Sequence, residues 1–296
     1  MTSPLNLAPS AVATTLERWL DQALPPESLN WLRGTVQRLK AEPSDRAFFL
    51  AVSQVSRRLG KADLPDPAQR LGEAQSARPG WTPSDWSVDQ VGRLYLLIRC
   101  TPPENFHQRL ETLCVTGDVG ELVTWYRGLP LYPYDPSLQF RATEGLRTNM
   151  RSVFEAVAHD NPFPRERFDE STWNHMVLKA LFIDSPLFPI QGLDERANPA
   201  LAKMLCQYAH ERWAAKRTIS PELWRCVGPV ADVGATDDLA RVLDTGTERE
   251  KQAAALSLLA ANSERANAVL DSAPELRDAA RAGRLSWIAI GESTCA

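Results

Sequence analysis

Apolar residues recur along this chain at intervals of three and four positions, which is the spacing of an amphipathic helix. Leu16, Trp19 and Leu20 share one face of a predicted first helix in this way. The strict alternation of apolar and polar residues that marks a half-buried strand is nearly absent. Even the apolar run at 94–100 continues a helical pattern that begins near Ser84. The pattern therefore predicts an all-α fold.

The same pattern predicts three consecutive parts of one helical domain. Residues 1–133 predict a series of helices, interrupted at 61–81 by a segment rich in proline, glycine, alanine and charged residues. This composition is typical of an exposed connection, so we interpret 61–81 as an exposed and partly mobile link between helices. Residues 134–228 form a central block of different character, and residues 229–296 return to a plainer helical pattern.

Short helices with tight links are predicted in the C-terminal part, over residues 236–243, 248–260, 264–271 and 274–282. Thr247 with Glu250, and Ser272 with Glu275, have the spacing of capping boxes. Short helices at this spacing indicate stacked helix pairs, an α-solenoid of the HEAT or armadillo type. An irregular multi-helix bundle is the other architecture that the pattern allows.

Composition narrows the classes of function. The chain has 296 residues, 44% of them hydrophobic and 24% charged, with a formal net charge of −4. This is the composition of a globular protein that can bury a full core. No basic block stands out, which argues against nucleic acid as the main partner. No apolar run approaches the roughly 20 residues of a membrane span, so we expect no direct membrane insertion.

The cysteines and the N-terminal residues bear on the cellular compartment. The five cysteines lie far apart and are odd in number, which fits neither a disulfide framework nor a zinc module. Residues 1–20 lack the basic segment followed by an apolar one that marks a signal peptide. We therefore expect a cytoplasmic protein.

Polar and aromatic side chains are interleaved within the helical patterns of the central block. Taken as one helix, residues 137–159 place Leu138, Leu146 and Val153 on an apolar face. The opposite face holds Arg141, Glu144, Thr148, Arg151, Glu155 and His159. Arginine and glutamate three or four positions apart on that face, such as Arg141 with Glu144 and Arg151 with Glu155, predict ion pairs along it. The face is either a solvated, salt-bridged surface or the polar wall of a groove between helices.

Residues 171–182 predict a buried helix that is apolar nearly all round. His175 and Lys179 form its polar strip one turn apart, and these two groups need water, an acid or a ligand beside them. Asn174 falls among apolar residues, so its amide should be hydrogen-bonded internally. The plainer interpretation is a structural histidine beside a lysine that reaches solvent.

The next predicted helix begins at Asn198-Pro199, with asparagine as the N-cap and proline as the first helical residue. Arg212 falls inside its apolar arc. An arginine there is expected to be at least half buried and to have a carboxylate partner. The candidate partners are Glu144, Glu155 and Glu222.

Established catalytic motifs do not occur in the chain. There is no Walker A loop, no G-x-G-x-x-G and no G-x-S-x-G. His210-Glu211 lacks the second histidine of a zincin helix, and the paired Glu-x-x-His motifs of diiron proteins are absent. We therefore predict no catalytic residue, no metal site and no cofactor.

Five segments of the central block resemble, in order, the EboA-domain family. They read ATEGLRTNMRSVFEAVAHDNP at 142–162, WNHMVLKALF at 173–182, GLDERAN at 192–198, YAHERWAAKR at 208–217 and PELWRCVG at 221–228. The family is described as metabolite-traffic proteins, encoded in clusters with a prenyltransferase and an enzyme similar to sugar-phosphate cyclases. Such clusters are linked to moving secondary-metabolite precursors out of the cytoplasm. The resemblance implies a helical, non-secreted accessory protein, and it supplies no catalytic residues.

Three hypotheses about function follow. In the first, the central helices line a polar, cationic groove that binds a small metabolite with a polar or anionic head and an apolar part, or another protein of the gene cluster. The candidate binding residues are Arg141, Glu144, Arg147, Asn149, Glu155, Asn174, His175, Lys179, His210, Glu211, Arg212, Trp213 and Arg225.

The second hypothesis is an enzyme that acts on a small metabolite of the cluster by acid–base chemistry. Its candidate acids and bases are Glu155, His159, His175, Lys179, His210 and Glu211. In the third hypothesis the protein is a scaffold. The central block is then purely structural, and its Arg–Glu pairs and asparagine caps hold one helix to the next.

Overall fold

The computed structural model describes residues 9–292, and Cys295 lies outside this range. The chain forms two compact units, one ending at Arg167 and the other beginning at Phe168. The boundary falls inside the central block at 134–228. Within residues 9–292 there are helices but no β-strand, since the single β-bridge between Asp63 and Ser87 is isolated. The predicted all-α fold is therefore confirmed.

The first unit contains ten α-helices among its described residues. They are α1 Pro9–Ala23, α2 Pro26–Ala41, α3 Asp45–Leu59, α4 Pro67–Ala77, α5 Val88–Cys100, α6 Phe106–Thr116, α7 Val119–Arg127, α8 Ser137–Arg147, α9 Arg151–Ala158 and α10 Pro162–Arg167. Short 3-10 turns occur at Pro103–Asn105 and Leu129–Leu131.

Large side chains fill the core of the first unit. Trp19, Leu94, Trp125 and Phe154 are almost completely buried, and they come from α1, α5, α7 and α9. Burial of a side chain of this size stabilises the fold by about 2–3 kcal/mol. Helices α1, α3 and α7 all pack against α5, which places α5 in the middle of this unit.

The expected exposed link at 61–81 is wrong, because α4 lies within it and packs into the first unit. The buried Arg70 of α4 donates hydrogen bonds to the carbonyls of Leu64, Pro65 and Pro83. Trp81 is also buried, with its ring centroid 5.0 Å from that of Trp19. The prolines and glycines lie largely at the ends of α4, where they are compatible with a helix. The Arg70 guanidinium therefore supplies the hydrogen bonds that these three carbonyls would otherwise need from water.

The single helix predicted over residues 137–159 is also wrong. It is interrupted between α8 and α9, where Thr148 has an extended conformation and its hydroxyl accepts a hydrogen bond from the Met150 amide at 3.1 Å. Threonine often ends a helix in this way, because its side chain competes for a backbone donor. Asn149 and Met150 are therefore exposed in the break.

The second unit contains seven α-helices among its described residues. They are α11 Glu170–Phe182, α12 Pro199–Ala214, α13 Val233–Thr245, α14 Glu248–Ala261, α15 Glu264–Asp271, α16 Pro274–Arg281 and α17 Trp287–Glu292, with 3-10 turns at Pro221–Cys226 and Gly228–Val230. The predicted short C-terminal helices are confirmed. The choice between a solenoid and an irregular bundle stays a prediction.

Helix α14 lies at the centre of the second unit and packs against α13, α15 and α16. Its capping box is confirmed, since the Thr247 side chain accepts the Glu250 amide and the Thr247 amide donates to Glu250. The second predicted box is wrong, because Ala273 is the N-cap of α16 and the Ser272 hydroxyl donates to the Val269 carbonyl instead. Ser272 therefore bonds to the preceding helix, α15, and does not cap α16.

Over residues 9–292, no helix is both long enough and apolar enough to cross a membrane.

Candidate functional site

A cleft of about 420 Å³ opens in the second unit, and we call it the Arg212 cleft. The end of α11, the turn at 184–186 and the segment at 218–222 form part of its wall. Tyr208 and Arg212 of α12 and the first turn of α14 complete it. A volume of this size lies in the range of small-molecule sites, which is roughly 300–1,000 Å³.

Arg212 is the cationic residue of α12 in this cleft. Its Nε and Nη2 donate to the Thr218 carbonyl at 2.9 and 2.8 Å, and its guanidinium carbon lies 5.8 Å from the centroid of the Tyr208 ring. The predicted carboxylate partner is therefore wrong, because a main-chain carbonyl holds the guanidinium. Within residues 9–292, Arg212 Nη1 has no hydrogen-bond partner, so one arm of the guanidinium is available to a ligand.

Tyr208 gives the cleft an aromatic wall. Its hydroxyl donates to the Leu181 carbonyl at 3.3 Å, and burial raises its pKa. Its ring packs edge-on against Phe182 at 4.9 Å between centroids. Phe182 is 61% exposed, so an apolar surface continues from the cleft wall out to solvent.

Glu222 is a buried carboxyl group in the lining, with only 1% of its surface exposed. Its Oε2 accepts the Leu187 amide at 3.0 Å, which fixes the loop that follows α11. Its Oε1 is buried and has no hydrogen-bond partner within residues 9–292. Burial therefore raises the pKa of Glu222, although the amides of Leu187 and Phe188 oppose that shift.

Four candidate residues near α11 and the start of α12 lie outside the lining of this cleft: Asn174, His175, Lys179 and Asn198. The amides of Asn174 and Asn198 bond to each other, which confirms the expected internal hydrogen bond of Asn174. His175 is exposed, and its Nδ1 lies 2.7 Å from the Ser171 carbonyl oxygen. Lys179 is partly buried, and burial lowers its pKa.

His210 and Trp213 belong to a second cluster that joins α12 to α13. Nε2 of His210 lies 2.8 Å from both carboxylate oxygens of Asp238. The Trp213 ring packs between His210 and Trp224, with centroids 5.7 and 5.9 Å away. The Arg241 guanidinium covers Trp213 at 4.4 Å. This cluster is a packed contact between two helices.

The remaining candidate residues of the second unit, Glu211 and Arg225, also lie outside the cleft lining. Glu211 is exposed on α12. Arg225 forms a two-pronged ion pair with Asp194, with both nitrogen–oxygen distances at 2.7 Å. Hydrogen bonds from this pair raise the pKa of Arg225 against the opposing effect of its burial.

The predicted residues of the first unit form ion pairs along α8 and α9. Arg151 pairs with Glu155 at 2.7 Å, which confirms the predicted pairing for these two residues. Glu144 pairs with Arg147, which lies outside the predicted face. Arg141 instead reaches Glu111 of α6, with 3.4 Å between Nε and Oε2. The His159 amide donates to the Glu155 carbonyl at the end of α9. A binding role for this face stays a prediction.

Of the predicted binding residues, Arg212 is the one that the described cleft lining contains. Sequence reasoning missed Tyr208, Asp184, Ser220 and Arg249, which line the same cleft. Tyr208 lies one turn before Arg212, so the spacing of four could have paired them. Arg249 lies 37 positions after Arg212 in the sequence, and no local pattern indicates that the two share a cleft.

No three histidine, cysteine, aspartate or glutamate side chains within residues 9–292 lie close enough together to hold a metal ion. The described cysteines are free. Burial raises the pKa of Cys100 to about 11 and that of Cys114, Cys206 and Cys226 to about 12. Their thiols are therefore poor nucleophiles near neutral pH.

Comparison with known proteins gives one match. The family model described as "Metabolite traffic protein EboA" matches residues 12–228, which is well over half of the chain. It thus covers most of the Arg212 cleft, while the first turn of α14 lies beyond its end. No curated protein and no solved structure matches the chain.

Proposed function

Because the chain belongs to the EboA family of metabolite traffic proteins, we propose that it is a non-catalytic binding protein that takes up a small metabolite in the Arg212 cleft. Its role in trafficking is then to hold a precursor while it is moved out of the cytoplasm. We propose a cytoplasmic location for the protein. Its proposed partners are a small metabolite and other proteins of the gene cluster.

One observation carries this proposal. Arg212 presents Nη1, to which no group in the described part of the chain bonds, beside the aromatic surface of Tyr208 and Phe182. A few fixed polar groups within an otherwise apolar concave surface are the usual composition of a small-molecule site. The Thr218 carbonyl holds the other two nitrogens, so the side chain is oriented before a ligand arrives and loses less conformational entropy on binding.

Native mass spectrometry tests the proposal directly. We expect an additional small mass on protein purified from cells that express the whole gene cluster, and none on protein expressed alone. Arg212→Gln should lose this mass, because the substitution removes the charge and the fork of donors. A bare protein in both preparations would contradict the proposal.

Arg284→Gln is the matched control. Arg284 is an exposed arginine of the same unit that is not part of the cleft lining, so this variant should keep the additional mass. Loss of the mass from both variants would show that net charge rather than the cleft is responsible. The location of the site in the cleft would then be wrong.

The enzyme alternative has one observation in its favour. His210 and Asp238 form a hydrogen-bonded pair in which the carboxylate orients the ring, as in many acid–base sites. Substitution of His210 distinguishes an enzyme from a binding protein. If His210→Gln leaves the bound mass unchanged in amount and in formula, the alternative fails. If the variant accumulates a different mass, the bound compound is a substrate.

A further inference from the structure

The charges in the Arg212 cleft are nearly balanced. Two guanidinium groups, of Arg212 and Arg249, share the lining with carboxyl groups of Asp184, Glu222 and Glu250. Glu222 contributes less negative charge than an exposed glutamate, since its burial favours the protonated form. An ion of either sign would be attracted by one set of groups and repelled by the other, so the lining favours neither a cation nor an anion.

The cleft lining has both hydrogen-bond acceptors and hydrogen-bond donors. Within the described residues, the exposed Asp184 carboxylate lines the cleft and accepts no hydrogen bond from another residue. Among residues 9–292, no group accepts a hydrogen bond from Arg212 Nη1 and none bonds to the Ser220 hydroxyl. The lining therefore offers a ligand both a hydrogen-bond acceptor and hydrogen-bond donors.

Hydroxyl groups are the chemistry that meets both requirements. Each hydroxyl donates one hydrogen bond and accepts up to two, without adding charge. A compound with several hydroxyls can therefore donate to the carboxyl groups and accept from the guanidinium groups at once. The apolar wall of Tyr208, Ile219 and Phe182 provides a surface for an aliphatic or aromatic substituent.

We infer that the ligand of the Arg212 cleft is an uncharged polyhydroxylated compound, about the size of a monosaccharide, that carries an apolar substituent. This inference rests on the proposed function and adds the class of ligand to it. Asp184 and Arg212 determine the specificity: the first accepts from ligand hydroxyls and the second donates to them.

Three probes that share one aromatic ring test the class of ligand. They are phenyl β-D-glucopyranoside, which is uncharged, phenyl phosphate, which is anionic, and benzylamine, which is cationic. Isothermal titration calorimetry should show binding of the glucoside, and weaker or no binding of the two ions. Asp184→Asn and Arg212→Lys should each weaken the glucoside about tenfold, the effect of losing a hydrogen bond to a charged group.

Both substitutions are chosen to preserve the fold. Asp184 has a φ of 53°, a conformation that asparagine also tolerates. Arg212→Lys keeps the positive charge and removes the fork of donors. Arg284→Lys is the control for arginine replacement and should leave glucoside binding unchanged.

The outcomes separate this inference from the proposed function. Tighter binding of either ion than of the glucoside, or a carboxylate or phosphate in the formula of the mass found on the native protein, would overturn the class of ligand and leave the binding function standing. Absence of any bound mass, together with no binding of the three probes, would overturn both. A hydroxyl-rich, uncharged bound mass supports both.

Discussion

Asn174 and Asn198 exchange two hydrogen bonds through their side-chain amides, at 3.2 and 2.9 Å. Asn174 is buried on α11, and Asn198 caps α12 by accepting the Leu201 amide at 2.9 Å. One side chain thus caps a helix and joins it to the neighbouring helix. That helix, α12, carries the Tyr208 and Arg212 side chains of the cleft.

Asn198→Ala should therefore destabilise the second unit by about 2 kcal/mol, because it removes the cap and leaves the buried Asn174 amide without its partner. Urea unfolding followed by tryptophan fluorescence measures the change. Gln207→Ala removes an exposed amide from the same helix and should change stability by no more than about 0.5 kcal/mol. Equal effects of the two substitutions would show that the asparagine pair contributes nothing specific.

Arg70 should hold the 61–81 segment in place. Arg70→Gln removes donors from three main-chain carbonyls, so we expect a loss of about 2 kcal/mol and faster hydrogen exchange over residues 61–81. Lys61→Gln changes an exposed cation of the same segment and should leave exchange unaltered. If the segment already exchanges rapidly in the unsubstituted protein, its packing against the first unit is wrong.

Two glycines within helices should respond in opposite directions to alanine. A Cβ at Gly145 would lie 2.7 Å from Tyr126 Cε1 and 2.8 Å from Val157 Cγ2, so Gly145→Ala should destabilise the protein by about 1–3 kcal/mol. At Gly34 of α2 a Cβ would meet nothing within 4 Å, so Gly34→Ala should stabilise it by about 0.5–1 kcal/mol. The two melting temperatures relative to the parent protein give the signs, and a stabilising Gly145→Ala would contradict the close contact of α8 with α7 and α9.

Glu222 should make the second unit less stable as the pH rises. Burial raises the pKa of its folded carboxyl group above the ordinary 4.5, so the folded state binds the proton more tightly than the unfolded state. The stabilisation that protonation provides is complete below the unfolded pKa and is lost as the pH rises through the folded pKa. Glu222→Gln keeps an acceptor for the Leu187 amide and cannot ionise. The difference in free energy of unfolding should therefore shift in favour of the variant as the pH rises above the unfolded pKa.

The comparison of the two proteins isolates Glu222 from the other titrating groups, since those are present in both. Unfolding by urea at several pH values gives the required curves. Parallel curves would mean that the carboxyl group has the same pKa in the folded and unfolded states, and the inferred effect of burial would be wrong.

Local patterning was sufficient for much of the fold. The apolar spacing predicted an all-α protein and its short C-terminal helices, and Asn198-Pro199 located the start of α12. The reason is that helix periodicity and N-caps act within four or five residues. The sequence by itself also carried the family resemblance, which the match over residues 12–228 bears out.

Tertiary structure decided what local patterns left open. Whether 61–81 was a link or a packed segment depended on contacts with distant residues, such as the packing of Trp81 against Trp19. The Arg212 cleft likewise brings Glu222 and Arg249 beside a helix that ends before either of them. The residues that form a hydrogen bond or line a cleft are those that the folded chain brings close together. Their distance in space cannot be read from their separation in the sequence.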